Sequence, residues 1–157
     1  MIYKLQKHKQ VLHTTNSALV KELEYTKIEL QKVEFQPVAT YMPTLTSNPG
    51  NIVKGNKWIG EVHCKGRFEC FRAPEYGVRA MAIIIKNYKK KYGLTTVEQI
   101  IHRWAPPHEN NTQEFIRFVR KRVGSDYTLE QLIDAIIIFE QGRQMPLRII
   151  QRGISIS

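Results

Sequence analysis

Carboxylates, amides and aromatic side chains collect at turns in the middle of this chain. Asn48-Pro49-Gly50-Asn51 reads as a tight turn, and Trp58-Ile59-Gly60-Glu61 follows it. Phe68-Glu69-Cys70-Phe71 is rich in aromatics, and Glu75 stands beside Pro74 where a helix begins. Glu109 and Asn110 close the loop Arg103-Trp104-Ala105-Pro106-Pro107-His108. Loops placed by a rigid scaffold carry binding and catalysis disproportionately. Flat aromatic rings suit the apolar faces of sugars, and positioned carboxyl groups donate or accept protons. The expected object is a shaped groove for binding or hydrolysis rather than a purely structural bundle.

Each candidate has a plainer competitor. Glu109, beside Trp104 and Asn110, sits where a carboxyl group is partly desolvated and its pKa raised; a loop or capping contact is the alternative. Glu75 is accounted for by the positive end of a helix dipole. Glu61 either lines a groove from a hairpin or is simply solvated. Trp58, Tyr76 and Trp104 suit sugar stacking, whereas the spacing of Phe68 and Phe71 suits a core. Asn48 and Asn51 bind ligand or satisfy backbone groups of their own turn.

The formal net charge is +10, of which residues 1–47 carry +2 and residues 48–157 carry +8. A basic surface of this kind attracts nucleic acid or anionic envelope polymers. Lys86, Lys89 and Lys90 share one helix face, and Arg117, Arg120 and Lys121 share another. These are candidate polyanion contacts or solvated outer faces. No zinc-finger, P-loop or RNA-binding pattern accompanies them. Cys64 and Cys70 with His63 offer no second pair of metal ligands, so neither metal nor cofactor is expected. A bridge between the two cysteines is possible, but free thiols are the expectation for a cytosolic chain. No apolar run approaches the roughly 20 residues of a membrane span. The first residues lack the apolar core of a secretory signal, so synthesis in the cytoplasm is expected, with any exit by lysis or inside a particle.

Residues 1–47 read as an N-terminal extension. Ser17 caps a helix carrying Leu19, Leu23 and Leu30, Ile28 to Phe35 also alternates as a strand does, and Pro37 and Pro43 mark an extended connector. Residues 48–157 read as the main domain. Asn51 to Phe71 suits a small β-hairpin. A helix then runs from Pro74 to Tyr92 and stops at Gly93, with Val78, Met81, Ala82, Ile85, Tyr88 and Tyr92 inward. Thr95 with Glu98 forms a capping box for a short helix through Trp104. Asn111 with Glu114 starts a third helix, closed by Gly124. Thr128 with Gln131 starts a fourth, carrying Leu132, Ile133, Ile136, Ile137 and Phe139 and closed by Gly142. A last turn or two follows Pro146 and ends at Gly153. The fold class is mainly α with a small β-hairpin.

Asn48-Pro49-Gly50-Asn51-Ile52, Trp58-x-Gly60, Phe68-x-x-Phe71 and Pro74-Glu75-Tyr76-Gly77-Val78-Arg79-Ala80 together resemble a family of bacteriophage and prophage virion proteins. Tyr92-Gly93-Leu94-Thr95-Thr96 and Arg103-Trp104-Ala105-Pro106-Pro107-x-Glu109-Asn110-x-Thr112 continue the likeness, which extends to about Gly142. More distantly the layout is similar to the lysozyme-like superfamily, especially its glucosaminidases. The resemblance implies a lysozyme-like domain, peptidoglycan glycan as ligand, other virion proteins as partners and the virion as location. It does not by itself establish catalysis. Within the matched motifs Glu75, Tyr76 and Arg79 join Asn48, Asn51, Trp58, Glu61, Trp104 and Asn110 as candidate ligand-binding residues. In the glucosaminidase pattern the catalytic Glu ends a helix a little before the Asn-x-x-Gly-Ile turn. Glu34, 14 residues before Asn48, is the matching candidate. Its surroundings lack the small residues and second acid of that pattern. Glu109 is the other candidate acid. The rival functional class is a basic capsid-internal or architectural protein that binds DNA or neighbouring subunits without catalysis.

Overall fold

The computed structural model describes residues 47–157, together with Leu19 and Val20. Contacts divide the chain into two units, Met1–Ala39 and Thr40–Ser157. Leu19 and Val20 are helical and exposed. Glu34 and the rest of the helix expected from Ser17 lie outside the described residues.

In the second unit, the described residues form α1 (Pro74–Tyr92), α2 (Val97–Trp104), α3 (Thr112–Val123), α4 (Leu129–Gln141) and α5 (Leu147–Ser155). Local chemistry sets most boundaries. Pro74 occupies the first turn of α1, where a missing N–H costs nothing, and Gly93 closes the helix in the left-handed region. Asn111 and Thr128 cap α3 and α4 as expected, each accepting the N–H three residues on. Gly142 closes α4 at φ 67°.

Three expectations shift. The capping box of α2 belongs to Thr96 and Gln99, not Thr95 and Glu98: Gln99 donates its N–H to Thr96 Oγ1 and its side chain accepts the Thr96 N–H. Glu98 is left free to take Arg120 at 2.6 Å. Gly153 does not end α5 but lies inside it, buried, at the place where α5 crosses Val78 of α1. Tyr92, expected inward, is 53% exposed, because the last turn of α1 runs past the core.

The core is the shared interior of the helices. Val78, Met81, Ala82 and Ile85 of α1 meet Ile149 and Ile150 of α5 and Leu132, Ile133, Ile136 and Ile137 of α4. Phe115 of α3 stacks on Phe139 with ring centroids 3.9 Å apart. Burying such side chains stabilises by roughly 1.5–3 kcal/mol each, which is why the apolar spacing fixes the packing.

The expected hairpin is absent among the described residues. Residues 51–72 are held instead by two isolated antiparallel bridges, Val53 with Phe68 and Glu61 with Phe71. Gly55, Gly60 and Gly66 all have positive φ, which breaks the regular pleat. Cys64 and Cys70 are joined by a disulfide, their Cα atoms 6.1 Å apart. The expectation of free thiols followed from compartment alone; the bridged arms bring the two cysteines within bonding reach.

Candidate functional site

The turn at residues 48–51 is built around Asn48. Its buried amide donates to the carbonyls of Ile52 at 2.9 Å and Glu69 at 3.0 Å, and its Oδ1 accepts the Ile52 N–H at 2.9 Å. Asn48 is therefore a keystone, not a free ligand contact. The turn brings Asn51 to φ 49°, a left-handed conformation that Asn tolerates better than most residues. Its side chain then projects onto the C-terminal turn of α4.

There it meets Glu140. Asn51 Nδ2 donates to Glu140 Oε2 at 2.8 Å, and Trp104 Nε1 donates to Glu140 Oε1 at 3.2 Å. Gln141 completes the clamp by donating to the Pro49 carbonyl at 3.1 Å and Asn51 Oδ1 at 3.3 Å. Three elements thus converge on one half-buried carboxyl group. Burial raises its pKa above the usual carboxylate range, and the hydrogen bonds from Asn51 and Trp104 oppose that rise without cancelling it.

Glu140 opens onto a groove of about 370 Å³ lined also by Gly50, Asn51, Phe68, Tyr88, Trp104, Glu109 and Asn110. Phe68 is 47% exposed, so one of the two aromatics expected in the core instead faces the groove; Phe71 is buried. Burial raises the pKa of Tyr88, against the opposing charge of Arg103. The Arg103 guanidinium lies 3.8 Å from the centre of the exposed Tyr92 ring.

Glu109 has a different environment from the desolvated one expected. Its side chain is 44% exposed, ion-paired with Arg67 and within 3.2 Å of His108 Nε2. The hydrogen bond from Arg67, followed by the charge of that guanidinium, holds its carboxyl below the usual range. Arg67 comes from the loop closed by the disulfide, so the bridge helps place that wall of the groove.

The other candidates lie elsewhere. Trp58 packs half-buried on the core, and its backbone N–H is taken by Glu61 at 2.7 Å. Glu61 lines a separate pocket beside His63. Glu75 is buried in the first turn of α1. Tyr76 is buried against Gly60 and receives a hydrogen bond from Arg72. Arg79 donates to the Ile156 carbonyl at 2.9 Å, tying down the end of α5. Lys86 reaches Ser157 Oγ at 2.6 Å, while Lys89 and Lys90 are exposed in the last turn of α1. Arg117 and Lys121 are exposed, but Arg120 is paired with Glu98. Of the expected ligand and acid residues, Asn51, Trp104, Glu109 and Asn110 share the groove.

In the sequence, Glu140 stands out only within Phe139-Glu140-x-Gly142, the weakest portion of the family likeness, with no role attached, although a signal for one existed. It is an acid in the last turn of the most apolar helix, with no basic residue in that turn. The exposed carbonyl ends of a helix disfavour negative charge there, so the position asks for a reason.

No family model matches the chain. It is similar to Protein P5 of Pseudoalteromonas phage PM2, with 39% identity over 109 residues, spanning 61% of this chain and 68% of that protein. At that identity and coverage, the chain belongs to the bacteriophage protein family of which Protein P5 of phage PM2 is a member.

Proposed function

We propose that this chain is a phage virion-associated protein whose groove engages the glycan strands of peptidoglycan, on entering the host cell or during particle assembly. Membership of a phage protein family supports the viral setting. The lysozyme-like relationship, manufacture in the host cytoplasm and contact with other virion proteins belong to the same reading. The observation that carries it is the composition of the groove: Phe68, Tyr88 and Trp104 alongside the amides of Asn51 and Asn110 and two carboxyl groups. Aromatic rings flanked by a few convergent polar groups match the amphipathic faces of hexoses.

The test is retention on purified sacculi in a sedimentation assay. Wild type is expected in the pellet, and Phe68→Ala, which trims an exposed ring, is expected to lower its retention several-fold. Equal recovery of wild type in the supernatant with and without sacculi would remove the reading.

A second reading rests on charge, since residues 48–157 carry +8. In it the chain is an internal or architectural virion component that binds DNA through Arg117, Lys121 and the Lys86, Lys89 and Lys90 face. It predicts DNA affinity that falls steeply between low and moderate salt. The pairing of Arg120 with Glu98 weakens this reading, because it neutralises the centre of the Arg117 face.

A further inference from the structure

The aromatic wall of the groove continues past Tyr88. Tyr88 lines the groove from α1, and the exposed Tyr92 stands one helical turn further on, about 6 Å along the axis. Residues four apart on a helix are surface neighbours, so the second ring extends the wall of the first. Arg103, in the last turn of α2, lies across both rings. Its guanidinium carbon is 3.8 Å from the centre of the Tyr92 ring and 5.2 Å from that of Tyr88. Trp104, the next residue, lines the groove itself. Stacking on aromatic rings holds a guanidinium plane in place while the N–H groups on its edge stay open to a partner. Arg103 is exposed and makes no ion pair with any described residue. Arg67, by contrast, lines the groove but is already taken by Glu109.

We propose, resting on the glycan-binding reading, that Arg103 selects glycan strands that bear carboxylates, by pairing with a substituent carboxylate at the Tyr92 end of the groove. The distribution of charge favours that end. In the middle of the groove Glu109 and Glu140 contribute acidic groups and Arg67 is occupied, so an incoming carboxylate is disfavoured there. A carboxylate accepts two parallel N–H bonds from a guanidinium, a match that the hydroxyl and acetamido groups of a neutral sugar do not offer. In peptidoglycan the carboxylate comes from the stem peptide, or from the lactyl group of muramic acid where no peptide is attached. A polymer of N-acetylglucosamine has neither. The ligand is then a substituted, anionic strand rather than any hexose polymer. An arginine that merely covers the Tyr92 ring would confer no such preference.

The experiment is sedimentation of the full chain with three solids: purified sacculi freed of other anionic polymers, the same sacculi with their carboxylates capped as neutral methylamides, and chitin. Wild type is expected to favour native sacculi over the other two. Arg103→Gln, with helical circular dichroism unchanged, is expected to lose about fivefold of that preference, the upper end for one exposed pair. Arg117→Gln removes the same charge from an exposed position that does not line the groove, and is expected to keep the preference. Sacculi stripped of stem peptides by an amidase separate the two sources. Loss of the Arg103-dependent preference there assigns the carboxylate to the stem, and its persistence assigns it to the lactyl group; each supports the inference. Wild type retained equally on native and capped sacculi overturns the inference and leaves the binding reading standing. Arg103→Gln with undiminished preference, or Arg117→Gln losing as much, also overturns it. Wild type that stays in the supernatant with every solid overturns both.

Discussion

Gly153→Ala tests the packing on which the groove depends, because α5 and α1 form the largest helix contact of the second unit. A Cβ at residue 153 would lie 2.5 Å from Cβ and Cγ1 of Val78 and 2.8 Å from the Glu75 carbonyl oxygen. Carbon atoms in contact prefer about 3.5–4.0 Å, so the helices must part by about 1 Å. Val78 is fully buried and the carbonyl belongs to the α1 backbone, so neither neighbour can swing aside. Overpacking of this kind costs about 1–3 kcal/mol. Ala regains up to about 1 kcal/mol of helix propensity over Gly. An overlap of about 1 Å with backbone and a fully buried side chain puts the cost in the upper half of that range, so the net loss is about 1–2 kcal/mol. A folded unit of about 110 residues unfolds with an entropy near 2.1 cal/mol/K per residue, so each kcal/mol moves Tm by about 4 °C. Calorimetry of Gly153→Ala should therefore show Tm lower by about 4–8 °C. In the Val78→Ala background the same change should cost less, giving a coupling energy of about 0.5 kcal/mol or more. A Tm equal to or above that of wild type would refute the close approach as the reason for glycine.

The remaining expectations concern the groove. Cys64→Ser opens a short disulfide loop and should lower stability by about 2 kcal/mol on chain-entropy grounds, read as a Tm drop that dithiothreitol reproduces in wild type and not in the variant. Trp104→Phe keeps an aromatic ring, smaller than the indole, but removes the N–H that lowers the Glu140 pKa; carbon-detected NMR should find the carboxyl titrating higher than in wild type, and a downward shift would contradict the hydrogen bond. For stability against pH the sign is set by the raised folded pKa of Glu140. Its contribution is complete below the unfolded glutamate value and is lost as pH rises through the folded one. Denaturant unfolding of wild type and Glu140→Gln across that window should show wild type losing stability relative to the variant as pH rises, and a gap that moves the other way would contradict burial as the cause.

Helix boundaries were legible because each rests on a few adjacent residues. Asn111, Thr128, Gly93, Gly124 and Gly142 act through hydrogen bonds to neighbours within four positions, so their identity and spacing suffice. Thr95 and Thr96 show the limit: two adjacent threonines, each followed three residues later by a capping partner, are separated only by which one the chain leaves extended. Gly153 misled for a related reason. A glycine after a short apolar segment reads as a stop, and only the distance to Val78, 75 residues away in sequence, reveals it as a contact point. Asn51 to Phe71 reads as a hairpin because β-formers are frequent there, yet three positive-φ glycines and a disulfide organise it more strongly than strand pairing does.

The groove was half legible for a physical reason that separates its two walls. Asn51, Glu109 and Asn110 belong to turns, and Trp104 ends α2 beside one, where polar and aromatic residues draw notice. Glu140 belongs to a helix whose apolar face accounts for nearly every other residue in it, so it passes as one polar position among many. Its distinguishing property is electrostatic: an acid beside unsatisfied helix carbonyls, half-buried, with no basic neighbour in its own turn. Such a placement costs stability unless donors arrive from elsewhere, and here they come from 89 and 36 residues away in sequence. The side chain that faces the groove is therefore held by donors from the turn at Asn51 and from the end of α2, which is why no window of adjacent residues announces it.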